Sequence, residues 1–342
     1  MNLAWKEMKK SKLRFSILAS IVFLISLLTF IIAGLANGLA DDNASLIKKL
    51  PDGTFYLADD ADQTYNLSAI DKRKENDILA ETGDAAAFSV QMGFVFDKDE
   101  KQQSVAFVTS TNSDYFEQVD PGEVVLDVSL KEEGVEIGDE LTNQFNEKLT
   151  VAGFADHQKF SHAPVAFLNK ADYQAIYGTD KQQMILVPDE DAKDIAGLDA
   201  VSKDELLQSL ASYKAEQMTL DMIVWFLIII SGMLFAIFFY MMNVQKIGMY
   251  GILKAMGLKT AVLLRMIWTE MLLLSGSAII LAAACAMIFG TAAPDGMPFA
   301  LDSIMLIWLA LIFLVVGFIG STVSAIQIKK VEPLQAIQQG DV

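Results

Sequence analysis

The chain has 342 residues, is 53% apolar and carries a formal net charge of −17. One cysteine, Cys285, excludes an intrachain disulfide framework, a zinc knuckle and a CxxC redox motif. The length allows two domains, and charge divides the chain into two materials. Residues 41–217 hold 36 of the 43 acidic and 15 of the 26 basic residues, a local net charge of −21. Residues 1–40 and 218–342 are apolar with scattered basic residues.

The first fourteen residues, MNLAWKEMKKSKLR, are basic, and Met1, Leu3, Trp5 and Met8 can share a face, so 1–14 reads as an interfacial amphipathic helix. Residues 15–39 contain no charge and are long enough to cross a bilayer. A cleaved secretory signal would have a shorter apolar core and a small-residue cleavage site, so this segment is expected to be retained as the first span.

Residues 40–217 should then lie outside the cell. Short strand-like runs at Thr54–Leu57, Ser104–Thr109, Glu123–Asp127, Leu149–Phe154, Val165–Leu168 and Met184–Val187 alternate with turns at Asp52-Gly53 and Pro121-Gly122. Helices are expected at Lys170–Tyr177 and Ser202–Ala215. This pattern predicts an α+β domain with a mostly antiparallel sheet. The only histidines, His157 and His162, flank a loop. The plain reading is exposed loop histidines, with a metal or proton-transfer role as the alternative. Asp41-Asp42, Asp59-Asp60 and Asp189-Glu190-Asp191 lack EF-hand spacing and read as solvated surface.

A second span is expected over 218–242, a basic loop over 243–262, a third span over 263–290, a loop over 291–302 and a fourth span over 303–324, leaving a tail over 325–342. The 243–262 loop carries Lys246, Lys254 and Lys259 and no acid, whereas Asp295 and Asp302 sit in a loop with no basic residue. By the positive-inside rule the basic loop and both termini are cytoplasmic. The fold class is thus a four-span α-helical membrane protein with an extracellular α+β domain between spans one and two. Within NVQKIGMYGILKAMGLKTAVLLR, Ile247, Tyr250, Ile252, Leu253 and Met256 recur at helical spacing, and Gly257 supplies a stop. That apolar stripe is expected to be covered by another protein. Gly248, Gly251 and Gly257 suggest close backbone approach or a flexible loop. No GxxxxGK[ST] occurs, and no nucleophile–base pair or metal-ligand cluster, so any ATP hydrolysis belongs to a separate subunit. Neither a resident cofactor or metal nor a nucleic-acid partner is expected.

The layout, with LAWKEMKKSKLRFS, QKIGMYGILKAMGLKTAVLLRMIWTE and VEPLQAIQQG, resembles the FtsX/MacB-type permeases of ATP-binding-cassette (ABC) transporters. The resemblance implies a homodimer in the cell membrane with two copies of a cytoplasmic ATPase. It also implies a coupling helix at about residues 245–257, with Gln245, Lys246, Tyr250, Leu253, Lys254, Met256 and Gly257 as docking residues. The stretches GLANGLADDN and AEQMTLDMIVWFLIIISGMLFAIFFY are similar to the HrtB-type haem-export permeases, which suggests a Gram-positive source. That likeness implies a haem contact from a glutamate at the outer start of the second span, a place that Glu216 occupies.

The residues themselves allow such a slot. A macrocycle needs an apolar cleft with a few oriented polar groups and an axial ligand. Tyr213 and Glu216 share a helical stripe, with Met218 and Met222 on a neighbouring one. Phe30 and Asn37 on the first span are placed to face the same slot. Glu270 is expected to pair with a basic loop residue or across the dimer, and Arg265 to snorkel. Two other function classes stand beside haem export. One is a mechanotransmitter whose acidic outer domain activates a cell-wall hydrolase or sensor without moving cargo. The other is export of antimicrobial peptides or drugs.

Overall fold

The computed structural model describes residues 12–111, 114–189, 193–293 and 297–329, and divides into two compact units. The amphipathic helix expected over residues 1–14 (up to residue 11), Asp295, Glu190 and Asp191, and the tail from residue 330 onward, with its Pro333–Ile337 motif, lie outside the described residues.

The helical unit comprises residues up to 37 and from 219. Its helices are α1 (Lys12–Lys48), and, numbered after the helices of the sheet unit, α6 (Ala211–Gln245), α7 (Ile247–Ala255), α8 (Thr260–Ala292) and α9 (Ser303–Lys329). Four of these are long and apolar enough to cross a membrane, with mean hydropathy of 2.4 to 2.7 over their most apolar windows. They pack around Phe30, Phe235, Phe239, Met271, Leu274 and Phe313. Small residues allow close approach: Gly320 brings α9 against the backbone of α6, where a Cβ would meet Ala236 N at 3.0 Å. Phe299 wedges between α1 and α8 over Gly34 and Gly290, where side chains would collide with its ring. The wedge is tied down by Ala300 N donating to Gly34 O (3.0 Å) and Asn37 Nδ2 donating to Ala300 O (3.1 Å).

The sheet unit, residues 38–218, is an α+β domain lying between the first and second of the long helices in sequence. Its strands are β1 (Thr54–Ala58), β2 (Ala86–Phe96), β3 (Gln102–Ser110), β4 (Glu123–Asp127), β5 (Glu140–Asn143), β6 (Lys148–Ala155), β7 (Lys159–Phe160), β8 (Ala163–Leu168), β9 (Met184–Val187) and β10 (Leu198–Ser202). Its helices are α2 (Lys72–Glu81), α3 (Ser129–Glu132), α4 (Lys170–Tyr177) and α5 (Lys203–Ser209). The order is β10-β1-β9-β2-β3-β8-β4-β6-β5, antiparallel except for β3–β8 and β4–β6, with β7 paired to β8. Because β5 also pairs with β2, the strands from β2 to β5 close on themselves. The enclosed core is Val95, Val105, Phe107, Val124, Leu126, Leu141 and Val151. Gly93 sits opposite Val105 on β3, and a Cβ there would strike Phe107 at 2.8 Å.

Local chemistry sets the element ends. Asn169 caps α4 by accepting from Ala171 N, and Gly178 ends it in the left-handed region at φ 69°. Ser202 and Glu205 form a reciprocal capping box on α5. The helix expected over 202–215 is two: α5 stops at Ser209, and Leu210 is extended (φ −71°, ψ 107°) so that its buried side chain joins the sheet core. The first helix runs past residue 39 to Lys48, broken at Ala44 (φ −146°, ψ 23°).

Candidate functional site

Glu216, on the first turns of α6, lies where three segments of the sheet unit meet. Just before the break at Ala44, the carbonyls of Asp42 and Asn43 take partners from outside the helix. The β7–β8 turn supplies them: Ser161 N donates to Asn43 O (2.7 Å) and His162 N to Asp42 O (3.1 Å). Lys159 adds an ion pair to Asp42 (2.9 Å) and donates its N–H to Ser45 Oγ (2.7 Å).

This turn has two residues, with Phe160 opposite Ala163, and both Ser161 (φ 50°) and His162 (φ 63°) are left-handed. A tight hairpin of the type I′ class needs that geometry and ordinarily uses Asn-Gly. Two side-chain-bearing residues there cost roughly 1 kcal/mol or more each. The strain is held by the backbone bonds to the broken helix, and its result is to aim the imidazole at α6.

Glu216 Oε1 lies 2.7 Å from His162 Nε2 and Oε2 lies 3.1 Å from Asn43 Nδ2. A carboxylate only accepts, so Nε2 carries the proton and donates. Asn43, fully buried, is itself oriented by Ser212 Oγ donating to its Oδ1 (3.0 Å). The carboxylate thus has one donor on each oxygen, and its side chain stays about one-third exposed. Its remaining lone pairs can still take a cation, a donor or a metal.

The other expected contact residues separate. Tyr213 packs against the core of the sheet unit. Met218 and Met222 are exposed at 65% and 53%. Phe30 is fully buried in the helical unit, edge-on to Phe313 at 6.2 Å. Asn37 is likewise engaged with Ala300, holding the Phe299 wedge.

In the 243–262 loop, α7 ends as expected at Gly257 (φ 90°), with Leu258 N donating to Leu253 O (3.1 Å) and Gly257 N to Lys254 O (2.9 Å), the paired bonds of a Schellman stop. Gly257 serves this turn, and within the chain nothing stands within 4 Å of its Cβ position or that of Gly248. The expected stripe is divided between two faces. Tyr250 is fully buried and donates to Asn243 Oδ1 (3.1 Å), and Leu253 packs on the helical core. Lys246, 13% exposed, pairs at 2.9 Å with Glu270, 1% exposed, and lies 5.5 Å over the Phe15 ring. These three residues face the chain's own helices. The outward face is Met249, Ile252 and Met256 at 37%, 53% and 66%, with Gln245 exposed beside it. Lys254 is half-buried.

Residues 222–333 match the family model described as FtsX-like permease C-terminal. Over 98% of its length the chain is 29% identical to a Staphylococcus haemolyticus protein named as HrtB and assigned to a hemin transport system as its permease, covering 99% of that protein. Staphylococcus epidermidis proteins of the same name are 27% identical over 99% of this chain and 100% of theirs. Among solved structures, the periplasmic region of MacB from Actinobacillus actinomycetemcomitans aligns with 47% of this chain and 93% of its own, at TM-score 0.34 and 11% identity. The chain thus carries four helices long and apolar enough to cross a membrane, resembles the FtsX-like permease C-terminal domain over residues 222–333, and is similar to HrtB permeases over its whole length.

Proposed function

We propose that this chain is the permease subunit of an ABC exporter that moves haem out of the membrane, working as a homodimer with two copies of a separate cytoplasmic ATPase. The observation that carries the reading is end-to-end similarity to proteins assigned to hemin transport, covering both units at once. The basic 243–262 loop and both termini are cytoplasmic in this reading, and the −21 sheet unit is outside. Nucleotide-driven closure of the ATPase pushes on the outward face of α7 through Met249, Ile252 and Met256. Glu216 supplies an anionic oxygen to the ferric iron or a neighbouring group of the porphyrin. Purified with its ATPase, the complex is expected to hydrolyse ATP faster when haem is added. Haem-independent hydrolysis, with no Soret change on mixing haem and the permease, would overturn the cargo.

A second reading has its own support in the acidic outer unit, which suits a cationic peptide better than a porphyrin bearing propionates. Peptide-stimulated hydrolysis without haem stimulation would favour it.

A further inference from the structure

We infer that His162 and Asn43 are positioning residues for Glu216, fixing its carboxylate so that it can bind the iron of a ferric porphyrin. The inference rests on the haem reading above and adds to it two residues that touch no cargo. Three features of the junction argue for it.

First, both carboxylate oxygens are already anchored by donors from different segments: His162 from the hairpin turn at 2.7 Å and Asn43 from the broken end of α1 at 3.1 Å. A free glutamate on a helix surface would sample several rotamers and lose that freedom on binding. This one has lost it beforehand, so a ligand meets a preset oxygen. Second, the anchoring leaves capacity. Each oxygen uses one of its two lone pairs, and the side chain is neither sealed nor fully solvated. The arrangement is that of a metal-binding carboxylate with outer hydrogen-bond partners, whose loss ordinarily costs ~10–100-fold in affinity.

Third, the local backbone gives up stability to make it. The helix breaks at Ala44, and Ser161 and His162 both adopt left-handed conformations that Gly or Asn would take more cheaply. Hairpin closure alone does not need an imidazole at the second turn position. Reaching Glu216 does. Asn43 is further locked by Ser212, so the chain of donors runs Ser212 to Asn43 to Glu216.

The test is haem titration of the purified full-length protein in detergent, followed by Soret absorption, for wild type, Glu216→Gln, His162→Ala, His162→Gln and Asn43→Ala. Glu216→Gln is expected to lose the wild-type spectrum. His162→Ala and Asn43→Ala are expected to bind ~10-fold or more weakly with a displaced Soret band. His162→Gln, whose amide can donate to the same oxygen, is expected to recover most of the affinity. Thermal unfolding of each variant separates loss of fold from loss of orientation, and His162→Gln keeps the test decisive if His162→Ala fails to fold. If His162→Ala and Asn43→Ala bind haem as wild type does while Glu216→Gln does not, the positioning role is wrong and the haem reading stands. If wild type does not bind haem, the haem reading falls and this inference with it. If wild type binds haem and Glu216→Gln binds it unchanged, the carboxylate is not the ligand and this inference falls while the haem reading stands.

Discussion

The two units keep their polar groups in opposite ways. In the helical unit the ion pair Lys246–Glu270 is buried and closed, at 13% and 1% exposure, with an aromatic ring against the ammonium. In the sheet unit Glu216 is held by His162 and Asn43 yet left about one-third open. The first arrangement fixes the root of α7 against α8. The second keeps a charged oxygen ready for something else. The charge pair that fastens two helices is enclosed, whereas the carboxylate proposed as a ligand stays reachable.

Breaking the fastener should give the largest effect. Lys246→Met or Glu270→Met alone strands a buried charge and is expected to destabilise the helical unit by ~3–5 kcal/mol, while the double Met variant returns close to wild type. Thermal unfolding of the three variants in detergent checks this. If the double variant is as unstable as the singles, the pair does more than fasten. The comparison sharpens at the two left-handed turns, where the expected signs are opposite. Gly257→Ala should cost ~1 kcal/mol because glycine already suits its turn, whereas Ser161→Gly should gain up to ~1 kcal/mol by relieving strain. Denaturation midpoints read both. On α7, Ile252→Glu is expected to leave the melting temperature unchanged, since Ile252 faces outward, and to abolish co-purification of the ATPase. Leu253→Glu is expected to fail in folding. The smallest effect belongs to the sheet surface. Lys72 holds the Asp180 carboxyl below its usual range by hydrogen bonding and charge. Both are solvated, so any contribution is complete at neutral pH and fades as pH falls through the carboxylate range. Asp180→Asn should give no measurable shift in melting at pH 7.

Much of the architecture was legible in the chain. Glu123–Asp127, Met184–Val187 and Lys170–Tyr177 stand where apolar runs, turns and caps put them. The longest strand, Ala86–Phe96, escaped because its Ala86–Val90 half is buried on both faces and shows no alternation. Helix Lys72–Glu81 escaped for the opposite reason: it is mostly charged and buries little beyond Ile78 and Glu75. The stripe on α7 was legible as helical, but part of it, Tyr250 and Leu253, is covered by the chain's own helices. Periodicity says which residues share a face, and cannot say whether a partner or the chain itself lies against it. Glu216 could be singled out as an ionisable group at the start of a span. Its two donors could not, because they stand 54 and 173 residues away and the turn that aims His162 exists only once the helix at Ala44 has broken.

The most direct measurement is ATP-dependent transfer of haem from proteoliposomes holding this chain and its ATPase to a water-soluble haem acceptor outside the bilayer. Transfer that requires ATP, falls away in Glu216→Gln and disappears in Ile252→Glu is the predicted result. Haem that leaves the bilayer at the same rate with and without ATP, in wild type and variants alike, would contradict the account.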